Sequence, residues 1–478
     1  MEMHVTLNGR GDLGGQIYRQ VKAAILSGRL MPGQPLPPSR ELASRLSVSR
    51  NTVTAAYDRL IDERLAQSRA GAGVFVRQAA GPSKRPHEQP PPGAVSPSPI
   101  WDRIAAPPPE FFADAPRYDL RPGIPDPRLF PYETWRRLTS QALRMSSMGT
   151  GWPIDPAGLP ELRAAIARHI GVSRAVQVEP ENIIVTQGTQ QAMDLIGRTL
   201  LRPGDCVAIE DPGYTLVRNL FRSQGAEVRG VPLDSEGIRV SLLPDHTRIV
   251  YVTPSHHYPL GSVMSDARRH ELLEWARERD AVVIEDDYDT EFRYDGRPLE
   301  PLHNHDDAGR VIYVGTFSKV MLHTLRIGFV AVPASLTAAM RTAKFLTDWH
   351  TPQPTQVAML GFIEEGLLAK HIRRMRHEYR KRHDRIVDVL NTRFSDMLTV
   401  IPSNVGLHLA ALTQPGVRDQ AVAADARSRG VGILPISRFR EGDSPDGLVL
   451  GYGAIAVADI DDALAALHSA LRTFQNDP

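Results

Sequence analysis

Apolar and polar positions change pattern twice along the chain. Ile17, Val21, Ala24 and Ile25 recur at helical spacing and predict a first helix ending near Gly28. Pro32-Gly33 and the run from Pro35 to Pro38 predict a turn and an extended segment. Ser39 is placed to cap a second helix, Arg40 to Leu46, and Ser49 to cap a third, Arg50 to Glu63. Val53, Ala56, Tyr57 and Leu60 then face inward, leaving Arg50, Asn51, Thr52 and Thr54 on the exposed first turns. Residues 65–76, with Gly71 and Gly73 between Gln67-Ser68-Arg69 and Val74-Phe75-Val76, read as a β-hairpin. From 79 to 109 periodicity nearly vanishes and ten of 31 positions are proline. That composition predicts an extended, semi-rigid connector able to span tens of ångströms at about 3.1 Å per residue. Further on, short continuous apolar runs take over. Ile183-Ile184-Val185, Val207-Ala208-Ile209, Ala281-Val282-Val283-Ile284 and Val311-Ile312-Tyr313-Val314 read as buried strands. The expected organisation is a small domain at 1–78, a linker at 79–116 and an α/β body at 117–478.

Charge sharpens this division. Residues 1–78 carry eleven Lys/Arg against six Asp/Glu, while the other 400 residues carry 45 against 49. A basic head on a slightly acidic body suggests a polyanionic partner for the head. The layout of the head is a helix-turn-helix followed by a wing. The first turns of its third helix are the positions that such folds present to the DNA major groove.

The strands of the body each run into reactive chemistry. Lys319 follows the strand that ends at Gly315. A lysine buried at a strand end has a depressed pKa and serves as a nucleophile toward a carbonyl. Thr316, Ser318 and Arg326 supply hydroxyls and a guanidinium beside it, which suits a phosphate-bearing aldehyde held on Lys319 as a Schiff base. Pyridoxal phosphate is such an aldehyde; an ordinary exposed lysine is the competing reading. The strand before Glu285 delivers Asp286, placed to pair with a protonated pyridine nitrogen, and Tyr288, placed to hydrogen-bond the ring oxygen. A solvated acidic loop or a metal site would also use such residues, though no histidine cluster accompanies the acids in sequence. Gly188, Thr189 and Gln190 form a glycine turn into a helix, a phosphate-binding arrangement. Tyr214 follows another strand and would either stack on the pyridine face or pack in the core.

In this order the glycine turn, Tyr214, Asp286/Tyr288, Lys319, Arg326 and Ser437-Arg438-Phe439 resemble a fold-type I, aminotransferase-like pyridoxal-phosphate domain. The resemblance implies an α/β body with a mostly parallel central sheet and a smaller C-terminal α/β domain. It also implies that Arg438 receives a substrate or effector carboxylate. One position departs: the usual Asn-Pro-x-Gly is Tyr258-Pro259-Leu260-Gly261, so an asparagine that helps hold the ring oxygen is missing. The head resembles the winged-helix domain of GntR-type regulators through Gly28-Arg29-Leu30-Met31-Pro32-Gly33, Leu36-Pro37-Pro38-Ser39-Arg40-Glu41-Leu42-Ala43 and Val48-Ser49-Arg50-Asn51-Thr52-Val53. That likeness implies DNA contact by Arg40, Arg50, Asn51 and Thr52, with the wing near Arg69, Ala70 and Gly71. The whole chain is similar to MocR/GabR-type regulators, which implies a homodimer.

Two functions follow as expectations. One is a transcriptional regulator whose body senses an amino-group-bearing carboxylate, or pyridoxal phosphate itself. The other is an active aminotransferase with a DNA-binding appendage. The histidines at 256–257 and 303–305 read as loop residues, with no metal expected. Charged positions at 341–345 and 371–382 read as a solvated helix face, or as a second DNA surface. The single Cys206 reads as a buried residue beside a strand. With no signal-peptide pattern and no apolar run of 18 residues, the expected location is the cytoplasm.

Overall fold

A computed structural model describes residues 5–9, 11–69, 71–77, 95–106, 115–144, 155–296 and 300–475. The chain forms two compact units, Met1–Ser96 and Pro97–Pro478. Most of the segment expected to be a linker lies outside the described residues. Its described part is not wholly extended: Pro99–Arg103 is a 3-10 helix, and the second unit already begins at Pro97.

In the first unit, α1 (Leu13–Leu26), α2 (Ser39–Leu46) and α3 (Arg50–Asp62) pack around Ile17, Val21, Leu42, Val53 and Leu60, all fully buried. Ser49 caps α3 by accepting the Thr52 N–H at 3.1 Å. Ser39 does not cap α2; it is the first residue of that helix, and Pro38 precedes it with no side-chain cap. β1 (Ala66–Arg69) and β2 (Gly73–Val76) pair antiparallel as the wing. The proline-rich turn joins them: Leu36 N–H donates to the Val74 carbonyl at 2.8 Å, and Gly33 N–H to that of Val76 at 2.9 Å. Tyr57 fixes the same turn from α3 by donating to the Pro37 carbonyl at 2.9 Å. At the other end of α3, Glu63 takes Lys22 at 2.6 Å and the Tyr18 hydroxyl, tying α1 to α3.

The second unit opens with β3 (Tyr118–Asp119), α4 (Tyr132–Ala142) and α5 (Pro160–Arg174). Its main sheet uses β4 (Ile183–Thr186), β5 (Cys206–Asp211), β6 (Glu227–Asp234), β7 (Gly237–Ile238), β8 (Thr247–Val252), β9 (Val282–Asp287), β10 (Val311–Thr316) and β11 (Gly328–Ala331). The strand order is β4-β11-β10-β9-β8-β5-β6-β7. From β10 to β6 all pairs are parallel, with β11 and β7 antiparallel to their neighbours. Helices α6 (Thr189–Leu200), α7 (Thr215–Ser223) and α8 (Asp266–Glu278) follow β4, β5 and β8. Burial on both faces explains the unbroken apolar runs. α9 (Ala334–Asp348), α10 (Gln353–Glu364) and the long α11 (Leu367–Arg393) lead to a second sheet. That sheet is antiparallel, ordered β12 (Leu398–Val400), β13 (His408–Thr413), β16 (Gly447–Gly451), β15 (Leu434–Pro435). α12 (Asp419–Ser428) and α13 (Ile460–Gln475) accompany it, and β14 (Val431–Gly432) pairs with β3. Cys206 is buried in β5, as expected.

Candidate cofactor pocket and DNA-binding head

The parallel strands end together, and their ends assemble the pocket. β10 delivers Thr316, Ser318 and Lys319. The Lys319 Nζ donates to the Gly123 carbonyl at 2.9 Å. Gly123 has φ +77, and a Cβ there would stand 2.8 Å from the same nitrogen, so this approach requires glycine. Burial lowers the Lys319 pKa; Asp289 and Asp286 oppose that shift and Arg326 adds to it.

β9 sorts its three acids by alternation. Glu285 and Asp287 face one side: Glu285 accepts the backbone N–H groups of Leu302 and His303 at 2.9 Å, and Asp287 pairs with Arg174 at 2.6 Å and accepts from Tyr313 and Thr290. Asp286 faces the other, where the Tyr251 hydroxyl donates to its Oδ2 at 2.7 Å. Its Oδ1 is buried without a hydrogen-bond partner. Burial raises the Asp286 pKa to about 7, against the Tyr251 hydrogen bond and with help from Asp287. Tyr288 is buried, and its hydroxyl donates to the His256 carbonyl at 3.0 Å.

The turn expected to bind phosphate forms at the start of α6. Gly188 has φ +85, and a Cβ there would meet the Arg326 guanidinium at 2.9 Å. Arg326 donates to the Gln187 carbonyl at 2.7 Å. Thr189 and Gln190 open α6, whose first-turn N–H groups lack intrahelical acceptors. The Gln190 side chain is exposed, so its part in this turn is that of its backbone. The side chains that brace the turn are Gln187 and Gln191, both donating to Asp348 at 2.7 Å, with Lys344 on the same carboxylate at 2.6 Å. Thr316 Oγ1 accepts the Ser318 N–H at 3.1 Å, and the Ser318 hydroxyl is buried without a partner. Tyr214 precedes α7 and meets Tyr258 edge-on at 5.5 Å. Tyr258 also packs edge-on against Phe439 at 5.2 Å, and the neighbouring Arg438 acts electrostatically on the Tyr258 phenol.

The structure thus brings Gly188, Tyr214, Asp286, Tyr288, Thr316, Ser318, Lys319, Arg326 and Arg438 to one region. Gly123, Tyr251, Gln191 and Asp348 join them. Pro122-Gly123 is the visible signal for the first; the others depend on which strand or helix lies alongside. The histidines at 256 and 257 lie in the loop after β8, as expected. Both are buried, and His256 forms a cluster with Asp289 and His408 that local sequence does not reveal. A cavity of about 1050 Å³ lies elsewhere, lined by Arg168, Arg293, Arg373, Glu291 and Glu364 among others, and includes none of the Lys319 site.

In the head, Arg40, Arg50 and Asn51 are exposed. Arg50 Nε reaches the Ser39 hydroxyl at 3.4 Å, linking the starts of α2 and α3. Thr52 is less free than its position suggests, because its hydroxyl lies 2.8 Å from that of Ser49 inside the cap. In the wing, the Arg69 guanidinium sits 4.5 Å from the Phe75 ring, and Gly71 (φ +74) makes the exposed turn. Ala70 lies outside the described residues. Five of the six Lys/Arg of α11 from Arg373 to Arg382 are exposed, as a solvated face requires, and only Arg382 is buried. Arg382 is buried against Asp126 at 2.6 Å, Arg376 donates to the Glu291 carbonyl, and Arg380 bonds the Tyr294 carbonyl and Asp295.

The winged head and the lysine-bearing α/β body define a DNA-binding module joined to an aminotransferase-like fold. Residues 13–76 match the gntR family of bacterial regulatory proteins, and residues 126–466 match aminotransferase class I and II. The chain is 35% identical to the probable rhizopine catabolism regulatory protein MocR of Rhizobium meliloti, across 96% of this chain and 94% of that one. It is 32% identical to the pyridoxine biosynthesis transcriptional regulator PdxR of Corynebacterium glutamicum, across 94% and 95%. Among solved structures, the α-aminoadipate aminotransferase LysN of Thermus thermophilus aligns with a TM-score of 0.72 and 27% identity, covering 79% of this chain and 97% of that one. The chain belongs to the MocR-type family, in which a GntR head is fused to a class I and II aminotransferase body.

Proposed function

We propose that this protein is a DNA-binding transcriptional regulator whose body holds pyridoxal phosphate and senses a primary amine bearing a carboxylate. The observation that carries the pocket reading is Lys319 beside two buried, unpartnered acceptors, Asp286 Oδ1 and the Ser318 hydroxyl. These suit a pyridinium N–H and a phosphate, two groups that one cofactor carries at opposite ends. When bound, pyridoxal phosphate supplies an electrophilic carbon that captures amines. Lys319 is the amine that holds it, and Asp286 keeps the ring nitrogen protonated. Gly188, the α6 N-terminus, Thr189, Gln190, Thr316, Ser318 and Arg326 hold the phosphate. Tyr214 covers the ring face, Tyr288 orients the ring oxygen, and Arg438 takes the effector carboxylate.

DNA is the partner of the head, with Arg40, Arg50, Asn51, Thr52, Arg69 and Gly71 as its contacts. The protein works as a cytoplasmic homodimer, two heads reading two half-sites. Among the described residues no helix is long and apolar enough to cross a membrane. The name of the relative PdxR supports a variant in which the cofactor is itself the effector. An active aminotransferase is the second reading, favoured by the complete Lys319–Asp286 site. Tyr258, in place of the asparagine, weighs against it.

The deciding experiment titrates amino-acid ligands onto the cofactor-loaded protein with and without operator DNA at fixed salt. A sensor requires coupling, commonly about 5–150-fold in affinity and equal in both directions. Equal ligand affinities in both arms, with steady turnover of a keto acid, would reject the sensor in favour of the enzyme.

A further inference from the structure

Behind Tyr288 lies a buried polar group that the cofactor reading leaves unused. His256 follows β8, Asp289 follows β9, and His408 begins β13; each is at most 1% exposed. His256 Nδ1 stands 2.8 Å from Asp289 Oδ1 and 3.2 Å from the Tyr288 hydroxyl. Asp289 Oδ2 accepts the Leu407 N–H at 3.0 Å, and the His408 ring lies 4.4 Å from that of His256. Gly406 (φ +82) completes the contact, since a Cβ there would overlap both His256 and Asp289.

A carboxylate beside Nδ1 fixes the tautomer with the proton on Nδ1. Asp289 is its nearer acceptor, and the Tyr288 oxygen is the second atom within its reach. The Tyr288 oxygen thus has Nδ1 at 3.2 Å on one side, and its own proton, given in this structure to the His256 carbonyl at 3.0 Å, is the one that a cofactor ring oxygen would take over from that carbonyl. A donor to a phenol oxygen polarises its O–H and strengthens the bond that the O–H makes onward. Asp289 in turn is locked by the Leu407 amide, so neither the imidazole nor the carboxylate can rotate away.

We infer that His256 and Asp289 are positioning residues that aim and polarise the Tyr288 hydroxyl toward the ring oxygen of the bound cofactor. This rests on the cofactor reading given above. A stronger donor at the ring oxygen withdraws charge from it. That oxygen then holds the proton on the neighbouring Lys319 nitrogen less tightly, so the relay keeps the proton's midpoint low. The titratable groups facing His256 are Asp289 and Tyr288 beside β9, His257 on its own loop and His408 on β13; Lys319 is faced by Asp286, Asp289, Arg326, His323 and His408.

The test follows the pH midpoint of the visible absorption band of the cofactor-loaded full chain. His256→Leu should raise the midpoint by about 0.5–1 pH unit, the worth of one modest hydrogen bond. His256→Asn, whose amide can replace Nδ1–H toward Asp289, should return most of the shift. In a Tyr288→Phe background, His256→Leu should add nothing, because the relay acts through that hydroxyl. A parent chain with no visible band overturns the cofactor reading and this inference with it. A normal band whose midpoint ignores His256→Leu and Asp289→Asn, or moves equally with Tyr288 absent, overturns the inference alone. So does one equivalent of a divalent metal retained by the purified chain, because the three side chains bring ligand atoms within 4.8 Å and would then serve the metal.

Discussion

Asp286→Asn separates the needs of the cofactor from those of the fold, because the two should respond in opposite directions. Without cofactor the Asp286 carboxyl is buried with one oxygen unpartnered, and burial first, then Asp287, lifts its pKa from 3.8 to about 7. A folded-state pKa above the unfolded value means that the folded chain binds more protons. Its stability contribution is therefore lost as pH rises from about 4 to about 7. A rise of this size corresponds to about 4 kcal/mol of buried-charge cost at pH 8. Asparagine keeps the shape and a polar atom for Tyr251 but carries no charge. The cofactor-free variant should melt no lower than the parent at pH 8, and its stability should be flatter between pH 4 and 8. Cofactor binding should move the other way. The pyridinium loses its counter-ion, and breaking a buried ion pair costs about 3–5 kcal/mol, or roughly 150-fold to 5000-fold in affinity. The assay pairs thermal melts of cofactor-free protein across this pH range with fluorescence titration of pyridoxal phosphate. Asp287→Asn is the comparison. It faces away from the pocket but breaks the buried contact with Arg174, so it should lower the melting temperature of both forms. Unchanged cofactor affinity in Asp286→Asn would refute the assignment of the ring-nitrogen partner, as would equal, stability-linked losses in both variants.

Other substitutions address the remaining parts. Lys319→Ala should abolish the visible band and its sensitivity to borohydride while retaining some cofactor through the phosphate contacts; an unchanged spectrum would remove Lys319 from its role. Arg50→Ala should weaken operator binding and relax preference at one base position by about 1–3 kcal/mol if the contact is bidentate to guanine, read by quantitative binding to operator and scrambled DNA. A uniform loss on both DNAs with a shallower salt slope would reassign Arg50 to a phosphate. Arg382→Ala removes one of two guanidiniums on buried Asp126, leaving Arg128 at 2.9 Å, and should cost about 1–3 kcal/mol in denaturant unfolding, whereas a purely solvated α11 face predicts almost no change.

Local pattern makes much of this protein legible. The head can be read because helix caps, proline turns and glycine hairpins act over three to six residues, and Ser49 and Gly71 do what their neighbours imply. The strand ends can be read because a sheet buried on both faces leaves unbroken apolar runs, so that Asp286 and Lys319 stand out as polar residues terminating them. Ser39 stands one position inside the helix it is expected to cap, since Pro38 holds the cap conformation with no side-chain oxygen to accept a hydrogen bond. The burial and clustering of the loop histidines escape the sequence for a different reason. His256, Asp289 and His408 lie on three separate elements, and nothing within a few residues of any of them marks the others. The same holds for Gly123 over Lys319, Tyr251 beside Asp286 and Asp348 behind the phosphate turn. Which segments become strands and helices, and which chemistry each strand end carries, is written in the amino-acid order itself, because those features depend on periodicity and short-range sterics. Which oxygen of Asp286 is left without a partner, which basic residues of α11 are consumed by internal pairs and what stands behind Tyr288 emerge only on folding. Burial and partnership at these places come from chain segments up to hundreds of residues apart meeting in the folded body.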